Sequence, residues 1–228
     1  MPSPELIIFD CDGVLVDSEI IAARIDAELI TAAGFPIDAG ELAERYAGLT
    51  FRDILLEIEK EADIPFQASL IDEEQRQLSK RLAREARAID GAFESVASVA
   101  CKRCVCSNSP ADRLKTMLEK VGIAPLFSGN LFSAVSTPGV EPKPSPDIFR
   151  YAAKAMSADP ANTFVIEDSV HGIQGAKAAG MRVIGFVGGS HSWLGHADKL
   201  TEAGAETVIR RHADLNGVIA ALSEWADV

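Results

Sequence analysis

Leu6-Ile7-Ile8-Phe9-Asp10-Cys11-Asp12-Gly13-Val14-Leu15-Val16-Asp17 is the stretch on which the fold turns. The apolar run Leu6–Phe9 predicts a short buried strand. Asp10 stands where that strand ends. Asp12 follows two residues later, so an extended backbone sends both carboxylates out on one side. Gly13 lets the chain turn sharply away. Two carboxylates held this close repel each other unless a cation or a shared proton lies between them. The pairing suits a divalent metal and a phosphoryl group: one acid attacks phosphorus, the other handles the leaving group's proton.

Outward from this stretch the periodicity changes. Ser18 reads as a helix cap, and Ile20, Ile21, Ile25, Leu29 and Ile30 form an apolar stripe ending near Gly34. A second helix is expected from Asp38 to about Tyr46. A third is expected after Thr50, which with Asp53 makes a capping-box-like pair. A long charged helix is expected from about Ala68 to Arg87, its charges read as a solvated face. No strand pattern appears between about Ser18 and Ala88, so residues 18–88 read as an all-helical insert.

Alternation of strand and helix resumes after Asp90-Gly91. Strands are expected at Lys102–Cys106, Leu131–Ala134, Thr163–Ile166, Arg182–Phe186 and Thr207–Ile209, with helices between most of them. That order predicts an α/β core of residues 1–17 and 89–228, a doubly wound parallel sheet with helices on both faces. Ligands of such sheets sit at the carboxyl ends of the strands. Asp10, Ser107 and Asp168 each stand at such an end, and Lys143 lies in the loop leaving the third strand.

Composition narrows the partners. The 228 residues carry a net charge of −12, with 47% hydrophobic and 25% charged residues. This is the make-up of a globular protein, and its charge argues against a nucleic-acid surface or an anionic membrane. An anionic substrate must therefore meet local cations. No segment is long and apolar enough to span a bilayer, and Met1-Pro2-Ser3-Pro4-Glu5 shows no leader pattern. A cytoplasmic protein is expected, monomeric or weakly dimeric. Cys101 and Cys104 have the spacing of half a zinc or redox motif. No second half accompanies them, so Cys11, Cys101, Cys104 and Cys106 read as small buried hydrophobes.

The nonapeptide Phe9–Asp17 closely resembles the first motif of the haloacid dehalogenase-like hydrolases, in the branch of sugar-phosphate phosphatases and β-phosphoglucomutase. Ser107-Asn108 resembles the second motif, Lys143 in Lys143-Pro144-Ser145-Pro146-Asp147-Ile148-Phe149 the third, and Glu167-Asp168-Ser169 the fourth. All four occur in family order, and the match runs from Asp10 to Met181. The resemblance implies a Rossmann-like core with a small helical cap. It makes Asp10 the nucleophile that forms an aspartyl-phosphate and Asp12 the general acid and base. Ser107 and Asn108 would bind the phosphoryl group, although Ser-Asn after a strand is also an ordinary helix cap. Lys143 would offset charge between Asp10 and phosphate, in a loop stiffened by Pro142 and Pro144. Mg²⁺ would be held by Asp10, the main-chain carbonyl of Asp12, and Asp168, with Glu167 direct or through water.

Within the insert, Arg45-Tyr46-Ala47-Gly48-Leu49-Thr50-Phe51-Arg52 resembles the family's substrate-recognition loop. Arg45, Gly48 and Arg52 are then substrate-binding candidates, while both arginines also read as ordinary surface residues. The mutase pattern has a His where Ala22 stands here. The dehalogenase branch lacks an acid equivalent to Asp12. A phosphatase of a small phosphorylated sugar or sugar acid, similar to the 6-phosphogluconate phosphatase branch, is the reading that remains. A phosphosugar mutase and a non-catalytic phosphometabolite-binding protein are the alternatives. His171 is expected in a helix's first turn. His191 and His196 fall in a Gly/Ser-rich loop with no assigned function.

Overall fold

The structure is a computed structural model that describes residues 4–46, 49–62, 65 and 68–225. The chain forms two compact units, one built from the residues up to Asp17 and from Arg87 onward, the other from Ser18–Ala86. It starts with β1 (Leu6–Phe9) and enters α1 (Glu19–Ala32), α2 (Ala39–Arg45), α3 (Phe51–Ala62) and α4 (Ser69–Glu85). It then continues through α5 (Ala92–Ser98), β2 (Lys102–Ser107), α6 (Ala111–Lys120), β3 (Leu131–Ser133) and α7 (Asp147–Ala155). The last elements are β4 (Thr163–Glu167), α8 (Val170–Ala178), β5 (Arg182–Phe186), α9 (His196–Glu202), β6 (Thr207–Ile209) and α10 (Leu215–Trp225). No helix among the described residues is long and apolar enough to cross a membrane.

The six strands form one parallel sheet in the order β3-β2-β1-β4-β5-β6. This is the doubly wound arrangement, in which the strand order reverses beside the first strand and opens a crevice at the carboxyl ends. β1 is buried along its whole length, so both of its faces must be apolar. Leu6 and Ile8 join Cys104, Cys106, Val165 and Val183 in a core filled by Ile148 and Phe149 of α7, Ile173 and Ala176 of α8, and Leu200 of α9. Phe9 points to the opposite face, where it packs edge-to-face with the Phe127 ring, centroids 6.0 Å apart. Cys11, Cys104 and Cys106 are buried free thiols, as small hydrophobes would be, and Cys101 is partly exposed. The register pairs Phe9 with Val105 and with Ile166. One step further along, it sets Asp10 level with Cys106 and Glu167.

Helix α9 departs from the expected loop. His196 is its first residue, and its N-cap is Gly195 at φ 91°, a left-handed conformation that glycine adopts without strain.

The second unit is helical in every element described, packed around Ala27, Ile30, Ile37, Leu42, Tyr46, Ile54, Leu55 and Ile58. The Thr31 hydroxyl donates to the Ile37 carbonyl and accepts from the Ile37 amide, each at 3.1 Å, which fixes the connection from α1 to α2. Thr50 caps α3 by accepting from the Asp53 amide at 3.2 Å while donating to the Asp53 carboxylate at 2.7 Å. Ser18 stands at the cap of α1, but its side chain makes no cap bond there.

Asp26 of α1 is only 8% exposed. Burial, then Glu74 and Glu19, push its carboxyl up to about 8. From about pH 4 to pH 8 an unfolded chain has lost this proton while the folded one keeps it, so stability falls as pH rises through that window. Asp26→Asn replaces the protonated acid by a neutral isostere. It should raise stability at pH 8 by on the order of a few kcal/mol and leave it unchanged at pH 4. Urea unfolding at the two pH values measures this. An equal effect at both would contradict the assignment.

Candidate active site

β1 delivers Asp10 into the crevice, and the Asp10 amide stays in the sheet by donating to the Ile166 carbonyl at 3.0 Å. β4 delivers Glu167 and Asp168. Oxygens of Asp10, Glu167 and Asp168 all lie within 4.8 Å of one another, and all three residues are buried. Lys143 Nζ donates to Asp10 Oδ1 at 2.5 Å, Glu167 Oε1 at 2.5 Å and the Cys106 carbonyl at 2.8 Å. An ammonium has three hydrogens to give, and all three are used. Its side chain is 5% exposed.

The charges do not balance. Three carboxylates against one ammonium leave a formal −2 in a buried place. Burial accordingly raises the Asp10 carboxyl well above the usual range; Lys143 opposes this, and Glu167, Asp168 and Asp12 add to it. Asp168 is raised chiefly by burial and by Glu167. Burial alone would lower the Lys143 ammonium, but Asp10 and Glu167 hold it above its ordinary value. A divalent cation with hard-oxygen preference fits this donor set and this charge deficit.

Asp12 faces the other strand end. Its Oδ2 accepts from Ser107 Oγ at 3.2 Å and from Ser109 Oγ at 2.9 Å. Its carboxylate is outside the trio. The Ser109 amide donates to Ser107 Oγ at 2.9 Å, so the turn after β2 holds both hydroxyls in place. Asn108 does a task the sequence did not disclose. Its side chain accepts from the Lys143 amide at 2.9 Å and donates to the Lys143 carbonyl at 3.3 Å, which ties the Lys143 loop to the end of β2.

Two glycines are explained by the acids. Gly13 sits at φ 74°, and a Cβ there would lie 1.9 Å from Asp168 Oδ2. A Cβ on Gly172 would lie 1.9 Å from the Glu167 carboxyl carbon. The Glu167 carboxylate occupies the space at the start of α8, where its Oε2 accepts from the Ser169 amide and hydroxyl at 3.1 and 2.9 Å. Ser169 Oγ in turn caps the helix by accepting from the Gly172 amide at 3.0 Å.

Lys143 thus joins Asn108, Asp10 and Glu167 by hydrogen bonds, with Asp168 beside the two acids, while Asp12 and Ser107 belong to a second hydrogen-bonded group with Ser109 after β2. In the helical unit, Arg45 pairs with Glu61 and, at 3.6 Å, with Glu41. It also lies against the Phe35 and Tyr46 rings. Arg52 is exposed on α3, and Gly48 lies outside the described residues. Two histidines without an assigned function reach the cluster. His191 Nε2 is 2.9 Å from Asp168 Oδ2, and His196 Nε2 is 2.8 Å from the Asp168 carbonyl.

Residues 7–186 match the family model of the haloacid dehalogenase-like hydrolases. The 6-phosphogluconate phosphatase of Escherichia coli is 30% identical over 82% of this chain and 85% of its own. A phosphorylated carbohydrates phosphatase of Thermotoga maritima is 28% identical over 93% of this chain and 97% of its own. A haloacid dehalogenase-like protein of Agrobacterium tumefaciens has a solved structure that superposes with a TM-score of 0.92 at 52% identity, covering 97% of this chain and all of that one. With a match of that extent running across the strand-end acids, the chain belongs to the haloacid dehalogenase-like hydrolase family.

Proposed function

We propose that this hydrolase is a Mg²⁺-dependent phosphatase that removes the phosphoryl group from a small sugar or sugar acid through an aspartyl-phosphate. One observation carries the reading: the buried trio of Asp10, Glu167 and Asp168 at the carboxyl end of the central strands, neutralised only in part by Lys143. The sugar or sugar-acid class is supported by the 6-phosphogluconate and phosphorylated-carbohydrate activities of the two phosphatase relatives.

A carboxylate oxygen of Asp10 attacks phosphorus as the ester oxygen departs. Asp12 gives its proton to that oxygen, so the alcohol leaves neutral. Asp12 then takes a proton from the water that attacks the phosphorylated Asp10, which restores both acids and releases phosphate. Ser107 Oγ and the amides after β2 bind phosphoryl oxygens at the start of α6. Lys143 donates to both Asp10 and Glu167 and so offsets part of the repulsion between them. A Mg²⁺ ion on Asp10, Asp168 and the Asp12 carbonyl would supply positive charge to the phosphoryl oxygens when bound. The helical unit is read as the family's cap, to which choice of the sugar is assigned.

A panel of phosphorylated sugars and sugar acids tests this. Phosphate release should require Mg²⁺ and stop when a chelator is added. Phosphorus NMR should show inorganic phosphate, not an isomeric phosphosugar. Undiminished turnover in chelator would contradict the metal, and an isomeric product would make the enzyme a mutase.

A further inference from the structure

The segment from the end of β5 to the first residue of α9 has no place in the mechanism above, yet it contacts Asp168 at two points. His191 Nε2 lies 2.9 Å from Asp168 Oδ2. His196 Nε2 lies 2.8 Å from the Asp168 carbonyl, which can only accept, so that nitrogen carries the hydrogen. His196 Nδ1 is then the acceptor facing Ser192 Oγ at 3.2 Å. The Trp193 ring stacks on His196 at 4.0 Å and 12°, and the edge of one of the two histidine rings meets the face of the other at 5.7 Å. The Ser190 amide donates to Asp17 Oδ1 at 3.1 Å, which ties the same loop to the last residue of the first motif. The fit is close: a Cβ on Gly13 would lie 2.8 Å from His191 Cε1 as well as against Asp168.

We propose that His191 is a positioning residue of the cation site. The inference rests on the reading of the acid trio as that site. His191 is not among the three residues whose ligand atoms cluster, so it acts on the site through Asp168. Its 2.9 Å contact holds one carboxylate oxygen, so the Asp168 carboxyl cannot rotate without breaking it. His196, braced by Trp193, fixes the main chain of the same residue and so sets where that carboxyl begins. A ligand held by such an outer partner binds metal more tightly, because its orientation is set before the ion arrives.

The test is direct Mg²⁺ binding by calorimetry to the full-length enzyme without substrate, comparing wild type with His191→Ala and His191→Gln. Gln keeps an N–H near the place of Nε2. The Ala variant should bind Mg²⁺ about 10- to 100-fold more weakly, while its melting temperature without metal changes little. The Gln variant should recover most of the affinity. Saturating Mg²⁺ should return kcat of the Ala variant close to wild type. If wild type binds Mg²⁺ and both variants bind equally well, the role of His191 is overturned while the metal reading stands. A melting temperature lowered in both variants with unchanged Mg²⁺ affinity would make His191 merely structural and overturn the role too. If wild type binds no divalent cation, the metal reading fails and the inference fails with it.

Discussion

Asp10→Asn is expected to lower kcat by about 10⁴-fold or more, the scale seen when a nucleophile is removed from a preorganised site. The substitution keeps the size of the side chain and an oxygen that can accept from Lys143 Nζ, the contact held at 2.5 Å in the native protein. It removes one of three buried acids that repel one another. The folded state is therefore not weakened, and its melting temperature should equal or exceed that of the wild type. Steady-state kinetics beside a thermal melt separate the two effects. A fall in both activity and stability would point to a structural role for Asp10, and near-native turnover would exclude it as the nucleophile.

Lys143→Met should have the largest effect on stability. Met has a similar reach and no charge, so Asp10 and Glu167 lose the ammonium that bridges them, at 9% and 1% side-chain exposure. Breaking a buried ion pair from one side costs about 3–5 kcal/mol, because a charge is left without its partner. The Cys106 carbonyl also loses a donor. Two consequences tie this cost to charge and not to packing. Mg²⁺ should recover part of the loss, since it binds only the folded protein and supplies positive charge in the same place. The loss should also shrink as pH falls and the raised carboxyls of Asp10 and Asp168 take up protons. Urea unfolding with and without Mg²⁺, at pH 5 and pH 8, measures both. A loss that ignores metal and pH would place the effect in packing.

The core was legible because its signals are local. Leu6–Phe9, Thr163–Ile166 and Arg182–Phe186 are largely apolar runs suited to a sheet covered on both faces, and acids stand directly at the ends of the first two. Parallel pairing then does the rest, since strands in register bring their last residues into one row. Lys143 was legible for a different reason, the resemblance of Lys143-Pro144-Ser145-Pro146-Asp147-Ile148-Phe149 to the family's third motif. What the sequence hid is contact across distance. His191 and His196 follow Gly188-Gly189-Ser190, a stretch with no period. Nothing within a few residues of either tells that their rings meet an acid more than twenty positions earlier. Asn108 reads as a phosphoryl-binding candidate or a helix cap, and its bonds to Lys143 cross 35 residues. Arg45 and Arg52 look alike in sequence. Whether a surface arginine is engaged depends on partners such as Glu61, sixteen residues on, and only a packed helical unit reveals them. Helix α9 was missed because seven residues opening on a left-handed glycine carry too few turns to show a period.

In the proposed mechanism the phosphoryl group passes through Asp10 on its way to water. A substrate phosphorothioate ester made chiral with two oxygen isotopes and hydrolysed in water of the third tests it within a single product. Two in-line displacements, first by Asp10 and then by water, invert the phosphorus twice, so chiral inorganic thiophosphate with net retention is the expected product. Net inversion would mean that water attacked the substrate directly, and Asp10 would then hold the site together without ever carrying the phosphoryl group.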